Sequence, residues 1–165
     1  MAVTDKVENM TIDTFVPESE RARVSYEICK QVLIAPEQFR LVFVDLEADG
    51  LFHLRNAMVN FWRGREDILS ESVETFMDEL GEAIRAWDFT RFRAKYLQPQ
   101  ILLLDDMHLL ERRETTQQEL YGILKTRLEQ KKLTILFSPY SLSQIRLTVV
   151  DELTQLLRLG LHETQ

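Results

Sequence analysis

The chain has 165 residues, which is enough for one domain with a single hydrophobic core. Hydrophobic residues make up 45% and charged residues 28% of it, and no apolar run approaches the roughly 20 residues of a membrane-spanning helix. The formal net charge of −7 excludes a general attraction to nucleic-acid phosphates, so a protein partner is the default expectation and a membrane is not.

The amino terminus predicts a cytoplasmic protein. Residues 1–10, MAVTDKVENM, are polar and aperiodic and lack the apolar segment of a signal peptide, so we expect a flexible stretch there. Residues 11–165 then form a single domain. The only cysteine, Cys29, lies among apolar positions of a predicted helix, which favours a buried side chain over a nucleophile.

Two helices flank the first predicted strand. Ser19 can cap a helix that ends before Pro36, and RLVFVD, residues 40–45, predicts the strand. EADG, residues 47–50, predicts a turn. Apolar residues then recur at the spacing of an amphipathic helix: Leu54, Ala57, Met58, Phe61 and Trp62. A strand, a turn and a helix that opens at a glycine is also the layout of a phosphate-binding loop.

The middle of the chain mixes aromatic with basic residues. Residues 67–69 predict a weak strand, and Ser70 or Ser72 can cap the helix that follows. In WDFTRFRAKY, residues 87–96, the aromatic residues alternate with three cations: Arg91, Arg93 and Lys95. Such interleaving can stack on and neutralise single-stranded nucleic acid. It is also typical of a short helix whose aromatic residues fill the core while its cations face solvent.

The strongest strand signal is ILLLDDMHLL, residues 101–110. Its four apolar residues predict a strand buried on both faces, and Asp105 and Asp106 follow at its carboxyl end. Two acids at that position can hold Mg²⁺ and orient a water if a phosphate-binding loop lies opposite them. Without such a loop, they are expected to cap a neighbouring helix or to accept hydrogen bonds from backbone amides.

The remaining chain continues the alternation of helices and strands. Thr115 or Thr116 can cap a helix, and residues 133–138 predict a strand. Residues 149–157 predict another helix, and residues 157–162 predict a last short strand. The fold class is therefore α/β, with a parallel sheet that carries helices on both faces.

Five segments, taken in chain order, resemble a known family. They are TIDTFVP, LVFVDLEADGLFHLRNAM, DFTRFRAKYLQPQILLLDDMHLL, TILFSPYSLSQI and DELTQLLRLGL, and the likeness runs from about residue 11 to residue 161. The family is the AAA+ domain of the bacterial replication initiator DnaA. The resemblance implies a three-layer P-loop NTPase core with a five-stranded parallel sheet in the order 5-1-4-3-2. The chain stops before the family's lid subdomain, so the lid is expected to be absent.

The same register places substitutions at the positions where the family binds nucleotide. The first-glycine position of the phosphate-binding loop falls on Asp45, and the last glycine is Gly50. The lysine and hydroxyl positions fall on Leu51 and Phe52. Such a degenerate Walker A loop lacks a charge-assisted contact to phosphate and a ligand for Mg²⁺. ATP and Mg²⁺ are therefore not expected to bind.

Other positions of the family pattern agree with this expectation. By the resemblance, the acid of sensor 1 falls on Pro139 and the arginine finger on Leu156, which leaves Asp105 and Asp106 as a vestigial Walker B pair. We expect no catalytic residue and no metal site. The predicted function is that of an inactive DnaA-like core that regulates replication initiation by contacts with an initiator or with itself. One alternative is a weak ATP-binding initiator fragment. The other is a single-stranded DNA module that uses three cations: Arg91, Arg93 and Lys95.

Overall fold

A computed structural model describes residues 3–147, 153 and 155–157. The helices are α1 (Val3–Glu8), α2 (Glu20–Ile34), α3 (Ala48–Trp62), α4 (Val73–Ala86), α5 (Thr90–Leu97) and α6 (Glu114–Glu129). The strands are β1 (Leu41–Asp45), β2 (Ile68–Ser72), β3 (Ile101–Asp105) and β4 (Leu133–Ser138). Short 3-10 turns span Ile12–Thr14, Pro36–Gln38 and Met107–Leu110. Among the described residues, we find no helix with the length and apolar character needed to cross a membrane.

The strands form one parallel sheet in the order β1-β4-β3-β2. Ile135 of β4 lies between Val42 of β1 and Leu103 of β3. The α/β fold class is confirmed, and these four strands have the relative order that the resemblance implied. The expected count of five is corrected to four within the described residues. The predicted last strand, residues 157–162, lies outside them except for Leu157, which is helical.

Helices cover both faces of the sheet because alternate strand residues point to opposite sides. Leu102 and Leu104 pack in one hydrophobic cluster with residues of α4, α5 and α6, whereas Leu103 packs in a second cluster with residues of α2 and α3. Cys29 belongs to the second cluster and is fully buried, as predicted. Burial raises the pKa of its thiol to about 12, which keeps the thiol protonated and unreactive.

Three local expectations differ in detail from the structure. The stretch expected to be aperiodic, residues 1–10, contains α1. The Asn60 side-chain amide donates to the backbone carbonyls of Val7 and Met10 at the end of this helix. Of the two caps expected for α4, Ser72 is confirmed, whereas Ser70 lies inside β2, which continues beyond the predicted end at residue 69 to Ser72. Helix α6 has Arg113 as its N-cap residue, two residues before Thr115, the first of the two threonines that we expected to cap it.

One arginine holds the amino ends of the central strands. Arg127 of α6 is fully buried and donates to five oxygen atoms, four of them backbone carbonyls. Its acceptors are the Thr134 hydroxyl and the carbonyls of Tyr96, Pro99, Gln100 and Leu133. Burial lowers the pKa of the guanidinium to about 10, so it stays charged at neutral pH.

Candidate functional site

The connection between β1 and α3 is shorter than a phosphate-binding loop. Only Leu46 and Glu47 separate the strand from the helix. The predicted turn at residues 47–50 is therefore wrong: α3 begins at Ala48, and the Leu51 N–H donates to the Glu47 carbonyl at 3.0 Å. The helix has taken up residues that would otherwise form a phosphate-encircling turn, and Gly50 lies inside its first turn.

Gly50 lies where a side chain would meet that of Leu46. The side chain of Leu46 is buried and lies against the Gly50 backbone. A Cβ atom at residue 50 would stand 2.5 Å from Leu46 Cδ2 and 2.9 Å from Leu46 Cγ, which is closer than carbon atoms approach. The one glycine that this segment shares with a phosphate-binding loop therefore makes room for an apolar side chain.

The positions that the resemblance assigns to the Walker A lysine and hydroxyl carry apolar side chains, Leu51 and Phe52, with different surroundings. Leu51 is buried in the cluster between α2, α3 and the sheet. Phe52 is 44% exposed, and the guanidinium carbon of Arg55 lies 5.9 Å from its ring centroid. The first turn of α3 therefore offers an aliphatic group and an aromatic ring at the two positions where the resemblance implies a cation and a hydroxyl in the family.

Asp105 forms an ion pair at the carboxyl end of β3. Its Oδ2 lies 3.1 Å from Nη1 of Arg55, and both side chains are less than a quarter exposed. The other carboxylate oxygen, Oδ1, is buried without a hydrogen-bond partner. Burial raises the pKa of Asp105; the Asp106 charge raises it further, and Arg55 lowers it. The Arg55 guanidinium thus lies beside the Asp105 carboxylate, which would be a ligand of any metal ion bound at this end of the sheet.

Sequence reasoning missed Arg55. Its spacing indicates which way it faces: Arg55 lies four residues after Leu51 and so lies on the same side of α3, one turn further along. Pairing it with Asp105 requires knowing that α3 packs across the end of β3, which the sequence does not give.

Asp106 begins the 3-10 turn after β3. Its backbone is left-handed, with φ 58° and ψ 37°, and its carbonyl accepts the Leu109 N–H at 2.9 Å. Both acids line a cavity of about 180 Å³, smaller than the roughly 300–1,000 Å³ of ordinary ligand sites. The other lining residues are Ala48, Leu51, Phe52, Arg55, Phe137 and Pro139. In the described part of the chain, no three His, Cys, Asp or Glu side chains are grouped as metal ligands would be.

A second arginine covers the carboxyl end of β1. Arg21 of α2 lies 3.3 Å from the Asp45 carboxylate and 3.8 Å from that of Glu47, and it donates to the Pro139 carbonyl at 3.2 Å. The Ser25 hydroxyl donates to the Asp45 carbonyl. Sequence reasoning also missed Arg21, since the contact joins residues of α2 to the ends of two strands.

The residues that the resemblance assigns to sensor 1 and the arginine finger, Pro139 and Leu156, make contacts within the protein. Pro139 lines the small cavity, and its carbonyl is held by Arg21. Leu156 packs against the hydrophobic cluster on the α4 side of the sheet. Neither position presents a charged group to the candidate site.

The aromatic residues of α5 belong mainly to the core. Phe92 and Tyr96 are buried, and their ring centroids lie 5.1 and 4.8 Å from that of Phe76. The Arg93 guanidinium lies 5.0 Å from the centroid of the half-buried Phe89 ring. These rings are therefore occupied by protein contacts.

Two of the three α5 cations are paired with carboxylates. Arg93 lies 2.6 Å from Glu119, and Lys95 lies 2.8 Å from Glu71 and 2.6 Å from Glu79. These hydrogen bonds raise the pKa of both cations, although desolvation of Lys95 is the largest single influence and opposes them.

The exposed remainder of the segment is Trp87 and Arg91. The Trp87 side chain is 90% exposed, and Arg91 is exposed with no ion-pair partner among the described residues. The structure therefore divides the aromatic and basic segment into a buried part and a small exposed part.

Sequence comparisons point to one family. The profile of the bacterial DnaA ATPase domain matches residues 7–163. The chromosomal replication initiator protein DnaA of Thermoanaerobacter sp. is 29% identical over 133 residues, 78% of this chain and 30% of that protein. DnaA of Deinococcus radiodurans is 36% identical over 92 residues, 54% of this chain and 20% of that protein. The chain thus spans less than a third of these relatives.

Solved structures show the same fold. Domain III of Thermotoga maritima DnaA superposes with a TM-score of 0.83 at 20% identity, covering 92% of this chain and 65% of that one. AMPPCP-bound DnaA from Aquifex aeolicus gives 0.80 at 26% identity, covering 90% and 47%. A replication initiator DnaA bound to AMPPCP and single-stranded DNA gives 0.80 at 26% identity, with the same coverage of 90% and 47%.

Proposed function

Because the chain belongs to the family of bacterial DnaA ATPase domains, we propose that it acts in replication initiation without binding nucleotide, as a regulator or adaptor that contacts other proteins. The observation that carries the proposal is the Arg55–Asp105 ion pair. In a nucleotide site of this family type, a metal ion would balance the acids at the end of β3. Here a guanidinium fixed to α3 balances Asp105 instead.

The surroundings of the ion pair support the same conclusion. Arg55 competes with a metal ion for Oδ2 of Asp105, and Leu51 offers no cation to bind a phosphate. The cavity of about 180 Å³ is small for a nucleotide, and Leu46 fills the space beside Gly50. Two proposals rest on these contacts. The first is that the chain is a pseudo-ATPase, which has the fold of an ATPase but not its activity, and the second is that its Walker A loop is degenerate.

The adaptor role is tested with the replication initiator of the same organism. We expect the purified chain to form a complex with that initiator, or to self-associate, as measured by size-exclusion chromatography with light scattering. A chain that stays monomeric and leaves the initiator's elution unchanged at concentrations of about 100 µM would contradict the role.

A single-stranded DNA module is the second candidate. It is supported by the related DnaA bound to single-stranded DNA and by the exposure of Trp87 and Arg91. The pairing of Arg93 and Lys95 with carboxylates and the net charge of −7 count against it.

Fluorescence anisotropy of a labelled oligonucleotide tests this candidate. If DNA binds, the affinity should fall between about 50 and 200 mM salt and should weaken in Arg91→Ala, because phosphate contacts release counterions. An unchanged anisotropy at the lower salt concentration removes the DNA hypothesis, since phosphate-driven binding is strongest there.

A further inference from the structure

A groove of about 660 Å³ lies between α4 and α5. Its apolar floor contains Ala83 and Phe92, each 6% exposed, and its rim is charged. We call it the α4–α5 groove, and its lining residues are Glu79, Glu82, Ala83, Ala86, Asp88, Arg91, Phe92 and Lys95. An apolar floor within a polar rim is the arrangement of a protein interaction site.

Trp87 stands beside this groove, between the lining residues Ala86 and Asp88. Its ring is 90% exposed, although tryptophan is a residue type that folded proteins usually bury to a large extent. Its backbone is left-handed, with φ 53° and ψ 28°, at the end of α4, where glycine is the usual residue. A tryptophan in a conformation that disfavours it, with its ring in solvent, suits an anchor for a partner, since indoles are enriched among binding hot spots.

The outer face of α4 carries an unbalanced row of acids. Glu74, Asp78 and Glu82 follow one another at intervals of four residues and are all exposed. None of them forms an ion pair with another described residue. Carboxylates spaced in this way repel one another along the helix, and cations from outside the chain would relieve that repulsion.

The charges around the groove indicate the charge that a partner should carry. Arg85 also lies on α4, where its guanidinium covers Gly81, and Arg91 lines the opposite wall of the groove. The acids without ion pairs still outnumber these two cations, so the surface repels phosphate backbones. A second copy of the chain carries the same net charge of −7, so its overall charge does not complement the row of acids.

We propose that the α4–α5 groove, with Trp87 beside it, binds an amphipathic helix rich in lysine or arginine from a protein partner. The apolar side of that helix packs on Ala83, Phe92 and the Trp87 ring, and its cations face the row of acids on α4. This inference deepens the proposed function, on which it rests, by naming the surface and the chemistry of the partner.

The test uses intrinsic fluorescence and a designed peptide. The chain has two tryptophans, and Trp62 is 2% exposed, so acrylamide quenching reports mainly on Trp87. The probe is a tryptophan-free amphipathic peptide of leucine and lysine, about five helical turns long. We expect a saturable blue shift of the tryptophan emission and weaker quenching of Trp87 by acrylamide when the peptide binds. A scrambled peptide of the same composition, which has no apolar face, should bind at least about tenfold more weakly.

Variants locate the site on the protein. Anisotropy of the labelled peptide should show at least about a tenfold loss of affinity in both Trp87→Ala and Glu82→Lys. The matched controls are Ile34→Ala, which removes another exposed apolar side chain, and Glu18→Lys, which makes the same charge change elsewhere. Circular dichroism at 25 °C checks that all four variants fold, and both controls should bind as the wild type does.

Three results would overturn the inference. They are equal affinity for the scrambled peptide, unchanged affinity in both groove variants, and displacement of the peptide by a single-stranded oligonucleotide that protects Trp87 equally well. The last result would assign the surface to nucleic acid. A nucleotide titration is an independent test of the proposed function, because saturable nucleotide binding would refute the pseudo-ATPase proposal without affecting the groove.

Discussion

Arginines close both ends of the sheet, but the arginines at the two ends bind different kinds of acceptor. At the amino ends of the strands, Arg127 is fully buried and donates only to neutral oxygens. At the carboxyl ends, Arg21 and Arg55 are partly exposed and pair with carboxylates. The first arginine completes the backbone hydrogen bonding of the fold, whereas the other two balance charges.

If the carboxyl end holds no nucleotide, as we propose, this difference explains how it stays closed without a ligand. Acids such as Asp105 repel their neighbours unless a cation compensates them. A cation bound from solution makes that compensation depend on a ligand. A cation supplied by α3 makes it permanent, so the candidate site becomes part of the structure.

The largest expected effect is at the amino end. Arg127→Met leaves four buried carbonyls and the Thr134 hydroxyl without their donor, so we expect a loss of about 3–5 kcal/mol in the free energy of unfolding. Urea denaturation measures it. Arg23→Met is the control, because among the described residues Arg23 pairs only with the exposed Glu20, so its loss should change stability by less than about 0.5 kcal/mol. A loss below about 1 kcal/mol for Arg127→Met would remove the distinction between the two ends.

The next effect tests whether the carboxyl end can be reopened. Leu51→Lys places an ammonium in an apolar cluster and beside Arg55, so we expect it to lower stability by about 2 kcal/mol. It should not restore nucleotide binding, because Leu46 and the short loop remain. Phe52→Lys, at a half-exposed neighbour, is the matched control and should have a smaller effect on stability. Saturable binding of Mg-ATP to Leu51→Lys would show that the lysine alone was missing.

A smaller effect is expected at Gly50. Gly50→Ala places a methyl group against Leu46 and should lower stability by about 1–2 kcal/mol, although alanine is normally the better helix former. The same substitution in a Leu46→Ala background should be neutral or stabilising. This double-mutant cycle isolates the contact between the two residues. Additive effects in the cycle would mean that Gly50 is not retained for Leu46.

The smallest effect concerns the charge on Asp105. The pKa of Asp105 is raised in the folded protein, so its contribution to stability is present at low pH and is lost as the pH rises through that pKa. Asp105→Asn should therefore stabilise the protein at pH 7 by roughly 0.5–1 kcal/mol, and the gain should disappear as the wild-type residue becomes protonated. Thermal unfolding between pH 3.5 and 7 measures this, with Glu66→Gln as the control, because Glu66 is exposed and forms no ion pair with another described residue. A variant less stable than wild type at pH 7 would mean that the ion pair outweighs burial.

Much of the fold could be predicted because its strongest signals are local. The apolar runs of β1, β3 and β4 need burial on both faces whatever surrounds them, and the periodicity of α2 and α3 marks their buried sides. The start of α3 could not be predicted, because residues 48 and 49 suit a turn as well as a helix. Packing of Leu46 against Gly50 favours the helix.

The arginines of the candidate site could not be assigned from the sequence. Arg21 and Arg55 meet their partners only after α2 and α3 pack across the ends of the strands, so no spacing along the chain reveals the pairs. Arg127 did carry a signal, since it falls on the same helical face as the buried Leu120, Ile123 and Leu124. A charged residue at an apolar position is a sign that several acceptors converge there.

Isothermal titration calorimetry with Mg-AMPPCP tests the central proposal most directly. DnaA from Aquifex aeolicus, whose structure holds AMPPCP, is the positive control under the same conditions. We expect no saturable heat from this chain at nucleotide concentrations up to about 1 mM. Saturable binding with a micromolar dissociation constant would contradict the proposal that Arg55, Leu46 and Leu51 have closed the site, and it would favour the weak ATP-binding initiator fragment instead.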